Sequence, residues 1–156
     1  MSALLFGTAA AWSATIVVDQ TGAGDATTIE GGLQLIGEGD TLYIKAGDYY
    51  EGRLVVGYNN VSVVGDGPDV TRMVYDAAFG DDGSALGLER EFASVAGIAF
   101  EGWDTGIYSG YHNEVAVVEN CRFINNYYGI YTASAPALTV TSSHFIGTYD
   151  LDTEFN

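Results

Sequence analysis

The sequence predicts an all-β solenoid of about four to five coils. Three segments, residues 95–100, 118–123 and 140–145, align without a gap, and each begins with valine and ends with phenylalanine. The first two are offset by 23 residues and the last two by 22. Gly106-Ile107-Tyr108 likewise recurs 23 residues later as Gly129-Ile130-Tyr131. A repeat of this length, made of short β-type segments, is typical of stacked coils that cannot bury an apolar side alone.

The N-terminal residues 1–14 are apolar and end in small residues, which predicts a remnant of a secretory signal, although no positive charge opens it. The segment is too short to cross a bilayer, which takes about 20 apolar residues. We therefore expect residues 15–156 to form one secreted or cell-surface domain without membrane insertion. The domain is expected to be truncated at its C-terminal end, because no capping element follows the last repeat.

One short helix is predicted over residues 25–36. Ile29, Leu33 and Ile36 follow one another at i, i+4 and i+7, and Asp25 is available as the N-cap. A single helix ahead of a β-solenoid is well placed to cover its open N-terminal end.

The remaining sequence alternates β-branched runs with Gly, Asp and Asn clusters, which predicts short strands separated by turns. The strands are predicted at residues 15–19, 41–45, 53–56, 61–65, 72–75, 95–96, 98–100, 106–108, 115–118, 122–124, 129–131, 138–141 and 144–146.

Equivalent positions of successive coils should stack as inward columns. Three columns are predicted: Phe100, Phe123 and Phe145; Val95, Val118 and Val140; Ile107 and Ile130. The residues before the phenylalanine strands, Gly97, Asn120 and Ser142, share one corner, where Gly and Asn tolerate a left-handed backbone.

The first coils resemble the opening of pectinesterases and related proteins. The resemblance lies in Ile16-Val17-Val18-Asp19, in residues 24–29, in Gly39-Asp40-Thr41-Leu42-Tyr43-Ile44-Lys45-Ala46-Gly47 with the residues up to Glu51, and in residues 61–68. It covers residues 15–76, and the repeats from 93 to 147 resemble those of the pectin-lyase-type superfamily. The resemblance implies a right-handed parallel β-helix and, if the protein is an enzyme, a carbohydrate esterase, polysaccharide lyase or glycoside hydrolase.

No catalytic motif of these enzymes is found in the chain. The only glutamines, Gln20 and Gln34, precede the first full coil, whereas the resemblance implies oxyanion-binding glutamines farther along. We interpret the pair Asp81-Asp82 as a solvated turn and Arg122 as an outward surface charge.

The other reactive side chains indicate no chemistry either. His112 and His144 accompany no Ser or Cys nucleophile motif, and Cys121 is predicted to be a packed thiol that cannot form an intramolecular disulfide, since it is the only cysteine. No cofactor and no metal site are predicted. Calcium, held by acidic residues such as Asp104 and Glu101, is considered without a specific motif.

The charge restricts the binding partners. Five Lys and Arg residues against 21 Asp and Glu residues give a net charge of −16, which argues against nucleic acid. An acidic wall would also repel a polyuronate, so a bound polysaccharide should be neutral or bridged by a divalent cation. The rest of a longer chain, or another protomer, is expected to cover the C-terminal rung.

An aromatic exterior is the candidate binding site. If Ile107 and Ile130 point inward, Tyr108 and Tyr131 point outward one above the other, and the adjoining turns hold Trp103, Tyr111, Tyr127 and Tyr128. We expect Tyr108, Tyr131, Trp103 and Asp104 to form a glycan platform, because aromatic faces suit sugar rings. The alternative is that the tyrosines stack only to stiffen the coil.

Three functions remain open. The chain is predicted to be a secreted carbohydrate-recognition or carbohydrate-processing domain, the N-terminal portion of a pectinesterase-like or lyase-like enzyme, or a structural or adhesive surface solenoid.

Overall fold

The computed structural model describes residues 13–79, 83–110, 115–133 and 137–147. Within these ranges the chain forms short strands, one α-helix and one 3₁₀ turn at Ala77–Phe79. The elements in chain order are β1 (Thr15–Val18), α1 (Ile29–Leu33), β2 (Thr41–Ile44), β3 (Gly47–Tyr49), β4 (Leu54–Val56), β5 (Ser62–Gly65), β6 (Thr71–Val74), β7 (Ser84–Leu88), β8 (Ala93–Ala96), β9 (Ala99–Glu101), β10 (Thr105–Ser109), β11 (Val115–Glu119), β12 (Arg122–Ile124), β13 (Tyr128–Thr132), β14 (Ala137–Thr141) and β15 (His144–Ile146).

The strands form three parallel sheets. Sheet A has the order β1-β2-β5-β8-β11-β14, sheet B β15-β12-β9-β6-β3, and sheet C β13-β10-β7-β4. From β2 onward the chain visits A, B and C in turn and then repeats, so it winds through about five coils. The predicted fold, an all-β parallel β-helix with a short N-terminal helix, is confirmed, and the described residues contain almost no other helix.

The interior is built from columns of like residues. Phe123 stacks on Phe100 with ring centroids 5.3 Å apart and on Phe145 at 4.7 Å, both pairs inclined by 10°. Strand register continues the phenylalanine column toward the N-terminus through Met73 and Tyr49. The predicted valine column lies in sheet A and the isoleucine column in sheet C, each with its members in register.

The glycines of the Gly-Ile-Tyr repeat leave room for the phenylalanine column. A Cβ added to Gly106 would lie 2.9 Å from a ring carbon of Phe123, and one added to Gly129 would lie 2.6 Å from ring carbons of Phe145. Because such approaches are shorter than van der Waals contact, the rings occupy the space that a side chain would need. The repeat therefore pairs a small residue in sheet C with an aromatic one in sheet B.

The shared corner between sheets A and B has the expected left-handed backbone. The φ angles are 70° at Gly97, 49° at Asn120 and 51° at Ser142. Ser142 adopts this conformation although it lacks the amide that favours it in Asn.

The helix is shorter than predicted, and its cap was assigned wrongly. It spans Ile29–Leu33, and the N-cap is Thr28, whose hydroxyl accepts from the Gly31 N–H at 3.1 Å. Asp25 lies outside the helix and accepts from the Val17 N–H instead. Helix α1 packs against strands of the first coil, with Ile29 fully buried, and so covers the N-terminal end of the core.

Two strands, β3 and β7, were not predicted. Strand β3 reads Gly-Asp-Tyr and β7 reads Ser-Ala-Leu-Gly-Leu, and glycine, aspartate and alanine give little β signal. Pairing overrides this weak propensity: β7 lies between β4 and β10, and β3 pairs with β6. Within the described residues, no helix is long and apolar enough to cross a membrane.

Candidate functional site

Two tyrosines form an ordered stack on the outer face of sheet C. Tyr108 in β10 is in register with Tyr131 in β13, and their ring centroids lie 6.0 Å apart with planes inclined by 10°. Tyr131 is 44% exposed and Tyr108 is half-buried. Ile107, the preceding residue in β10, is completely buried, so the predicted alternation of an inward isoleucine and an outward tyrosine is confirmed.

Two further tyrosines widen this stack into a continuous surface. The Tyr128 ring lies 5.4 Å from that of Tyr131, and the Tyr127 ring meets Tyr128 edge-on at 4.6 Å. Tyr127 is 61% exposed and Tyr128 43%. A side-chain hydrogen bond with Tyr127 raises the pKa of Tyr128 above its usual range, so the Tyr128 hydroxyl remains protonated near neutral pH. We call Tyr108, Tyr127, Tyr128 and Tyr131 the tyrosine platform.

Trp103 does not belong to this surface, so the expectation that it lies on the exterior is wrong. The residue is only 4% exposed, and its indole N–H donates to the Met73 carbonyl at 3.0 Å. The ring packs edge-on against Tyr75 and directly beside Gly52, where an added Cβ would lie 2.2 Å from it. The missing side chain at Gly52 provides the space in which the indole is buried.

Trp103 instead supports the turn that presents the platform. The backbone N–H of Trp103 donates to the Asn126 side-chain oxygen at 2.8 Å, and its backbone carbonyl accepts from the Tyr127 N–H at 2.9 Å. The buried Asn126 amide also donates to the Phe100 carbonyl. The repeat indicates the position of Asn126 in the sequence, because it follows Trp103 by the same offset of 23 residues.

Asp104 lies at the rim of the platform, and Glu101 does not. Asp104 is exposed, and its carbonyl accepts from the Tyr128 N–H at 2.7 Å. Glu101 belongs to β9 in sheet B and pairs with Arg72 at 3.2 Å. No group of three or more His, Cys, Asp or Glu side chains in the described part of the chain is placed to hold a metal ion, so calcium gains no ligand set there.

Arg72 is the centre of a charge network on the outer face of sheet B. Its guanidinium donates to both carboxylate oxygens of Asp48 at 2.7 Å, in addition to its contact with Glu101. This pairing lowers the pKa of the Asp48 carboxyl below its usual range. The network connects three successive coils and uses three of the five N–H donors of this arginine.

The remaining candidate residues are placed as follows. Arg122 points outward in register with Ala99 and His144, as predicted, and pairs with Asp69 at 2.6 Å. Cys121 is buried, and burial raises the pKa of its thiol to about 11, which fits the predicted packed thiol. His112, Tyr111 and the pair Asp81-Asp82 lie outside the described residues.

These observations define the class of the protein. Three parallel sheets, inward columns of stacked residues and a helix over the first coil make it a parallel β-helix, the fold that the resemblance implied. The chain is similar in structure to pectin methylesterase PemA from Erwinia chrysanthemi, with a TM-score of 0.57 and 14% sequence identity.

The match to PemA covers 88% of this chain and 48% of that one, so the chain spans about half the length of PemA. At this level of identity the similarity shows the fold alone. No protein-family model and no curated protein sequence matches the chain.

Proposed function

We propose that this chain is an extracellular carbohydrate-recognition domain that binds a polysaccharide along the tyrosine platform. The supporting observation is the parallel stack of the half-buried Tyr108 and the exposed Tyr131, which the solenoid aligns along its own axis. A sugar ring has an apolar face that packs on an aromatic ring and hydroxyls that bond to its polar edge. The stacked rings face one another, so the row presents ring edges and hydroxyls along the axis, which suit a chain of sugar units that runs parallel to it.

The polar groups near the platform favour an uncharged glycan. The tyrosine hydroxyls donate and accept hydrogen bonds, and the exposed Asp104 carboxylate accepts them. With a net charge of −16, the protein repels a polyuronate unless a divalent cation bridges the two. We therefore expect neutral polysaccharides to bind, and acidic ones to bind only when calcium is added.

Alanine substitution of the stacked pair tests the proposal. We expect Tyr108→Ala with Tyr131→Ala to weaken binding to a panel of neutral oligosaccharides at least about tenfold, since each lost side chain removes an apolar contact and a hydrogen-bonding hydroxyl. Tyr50→Ala is the matched control, because Tyr50 is 47% exposed but lies beyond β3, outside the platform. Isothermal titration calorimetry measures the affinities. Unchanged binding by the double variant would exclude this surface.

A gain of binding gives an independent test. Val55 lies in the same outward row, in register with Gly87, which pairs with Tyr108, and its side chain is 45% exposed. Val55→Tyr should therefore add a ring to this row and tighten binding of a longer oligosaccharide more than binding of a disaccharide.

A second candidate function is the N-terminal portion of a pectinesterase-like enzyme, favoured by the similarity to PemA over half of its length. Neither glutamine belongs to the platform: the Gln20 amide donates to the Asp48 carbonyl, and Gln34 is the C-cap of α1. The test is methanol release from methyl-esterified polygalacturonate by the longest reading frame that contains residues 1–156. If no glycan binds and no methanol is released, the structural or adhesive solenoid remains.

A further inference from the structure

A cleft that shares no residue with the tyrosine platform lies where the turn after β4 meets the turn after β7. Its volume is about 310 Å³, at the lower end of the range for small-molecule sites. The lining residues are Glu38, Gly57, Tyr58, Asn59, Arg90 and Glu91. We call this the turn cleft.

Hydrogen bonds between distant parts of the chain form the walls of the turn cleft. The Glu91 N–H donates to the Asn59 side chain at 3.2 Å, and its carbonyl accepts from the Asn60 N–H at 2.9 Å. The Arg90 Nε donates to the Gly57 carbonyl at 3.2 Å. The Asn59 carbonyl accepts from the turn before β2, which brings Glu38 to the same site. The turn cleft is thus a preorganised surface concavity.

The chemistry of the lining favours a cation with hydrogen-bonding groups around it. Glu38 and Glu91 supply two carboxylates against the one guanidinium of Arg90. The ring of Tyr58, 49% exposed, offers a face that attracts a cation. The charge of −16 on the whole chain raises the local concentration of cationic ligands.

We propose that the turn cleft binds a sugar unit that carries a protonated amine, as in a β-linked glucosamine oligomer. The amine lies between the carboxylates of Glu38 and Glu91, and the apolar face of the sugar packs on Tyr58. The Asn59 amide and the guanidinium of Arg90 face the hydroxyls of the sugar.

The turn cleft is close enough to the tyrosine platform for one oligosaccharide to reach both. An added Cβ on Gly110 would lie 3.4 Å from the Tyr108 ring and also 3.4 Å from the Glu89 side chain. Glu89 immediately precedes the cleft residues Arg90 and Glu91. The two sites use different residues, however, so the proposal for the cleft does not depend on the platform.

Charge removal at the carboxylates tests the proposal. A tetramer of β-linked glucosamine is titrated into the wild-type chain and into the variant Glu38→Gln with Glu91→Gln by isothermal titration calorimetry. We expect the double variant to bind at least about tenfold more weakly, because two charge-assisted hydrogen bonds are lost. Glu30→Gln, which removes an exposed carboxylate on α1 outside the cleft, should bind like the wild type.

The N-acetylated tetramer separates the amine from the sugar. It has the same rings but no positive charge. We therefore expect the wild type to bind it less tightly than the glucosamine tetramer. We also expect the wild type and the double variant to bind the N-acetylated tetramer with equal affinity. Far-UV circular dichroism and thermal unfolding check that the variants remain folded. The proposal is overturned if the glucosamine tetramer does not bind, or if Glu38→Gln with Glu91→Gln leaves its affinity unchanged.

The outcome is distinguishable from failure of the platform. Loss of glucosamine binding in the cleft variant, with neutral oligosaccharides still bound, supports two separate sites. If neutral oligosaccharides never bind but the glucosamine tetramer binds through Glu38 and Glu91, the platform proposal fails and the turn cleft remains.

Discussion

Replacing Phe123 by alanine should remove the middle ring of the phenylalanine column. Phe123 is 2% exposed and lies between Phe100 and Phe145, with centroids 5.3 and 4.7 Å away. The neighbouring coils are fixed by parallel strand pairing on both sides of β12, so they cannot close on the space left behind. The substitution therefore creates a cavity inside an otherwise intact coil.

The magnitude follows from the difference in burial along the column. A fully buried phenylalanine truncated to alanine costs about 3 to 5 kcal/mol, made up of lost transfer free energy and the cavity. Phe145 in the last described coil is 58% exposed, so less than half of its surface is buried. Phe145→Ala leaves no closed cavity and should cost only about 1 kcal/mol. The two variants make the same chemical change in one column at different depths.

Urea unfolding followed by far-UV circular dichroism measures both free energies of unfolding by linear extrapolation. Near-UV circular dichroism must give the same transition, because stacked coils can unfold in stages. We expect Phe123→Ala to lower the free energy of unfolding by about 4 kcal/mol and Phe145→Ala by about 1. Equal losses in the two variants, or a loss below about 1 kcal/mol for Phe123→Ala, would refute the column.

Further predictions concern packing, pH and thiol reactivity. Gly106→Ala should lower the free energy of unfolding by about 2 kcal/mol in urea titrations, because its Cβ would approach a backbone oxygen of the next coil to 2.7 Å. Gly87→Ala is the control: the nearest atoms to its Cβ would lie at 3.6 Å, so it should change the free energy of unfolding by less than about 1 kcal/mol. Asp48→Asn should lower the melting temperature at pH 7. The pKa of Asp48 is depressed in the folded state, so its contribution is present above the unfolded pKa of about 4 and is lost as the pH falls through the lower folded value. The melting temperatures of wild type and variant should therefore converge as the pH falls below the folded-state pKa of Asp48, and a constant gap would contradict this. Cys121, with a thiol pKa of about 11, should resist iodoacetamide at about pH 8 until the chain is unfolded in guanidinium chloride. Alkylation of the folded chain as fast as of the unfolded chain, measured by mass spectrometry, would show that the thiol is accessible.

The later coils could be predicted from the sequence because each column repeats its residue type. The phenylalanines at 100, 123 and 145 mark equivalent positions directly, and the repeat offset then assigns the neighbouring strands, corners and outward tyrosines. Local chemistry and tertiary position agree there, which is the condition under which pattern reasoning succeeds. The pair Tyr108 and Tyr131 was found in this way.

The errors occur where a residue's environment comes from another coil. Trp103 follows a glycine and precedes an aspartate, which indicates an exposed turn, yet Gly52 provides the space that buries it. These two positions are about fifty residues apart in the sequence, and no repeated pattern connects them. Thr28 took the capping role assigned to Asp25, because Asp25 accepts a hydrogen bond from β1 instead.

The turn cleft could not be predicted for the same reason. Its walls come from three turns of unequal length, around Glu38, Tyr58 and Arg90, and none of them belongs to the phenylalanine repeat. Only the register between β4 and β7 brings the last two turns side by side. A cleft of this kind has no one-dimensional signature.

The parallel register of sheet C has a consequence for how recognition by this surface could change. Each coil contributes one outward residue to a row that contains Val55, Gly87, Tyr108 and Tyr131, and adjacent coils are about 4.8 Å apart. The row therefore has a fixed spacing, and a single substitution in it adds or removes one contact without moving the others. The length of this row increases with the number of coils, while the hydrophobic interior beneath it keeps the same pattern.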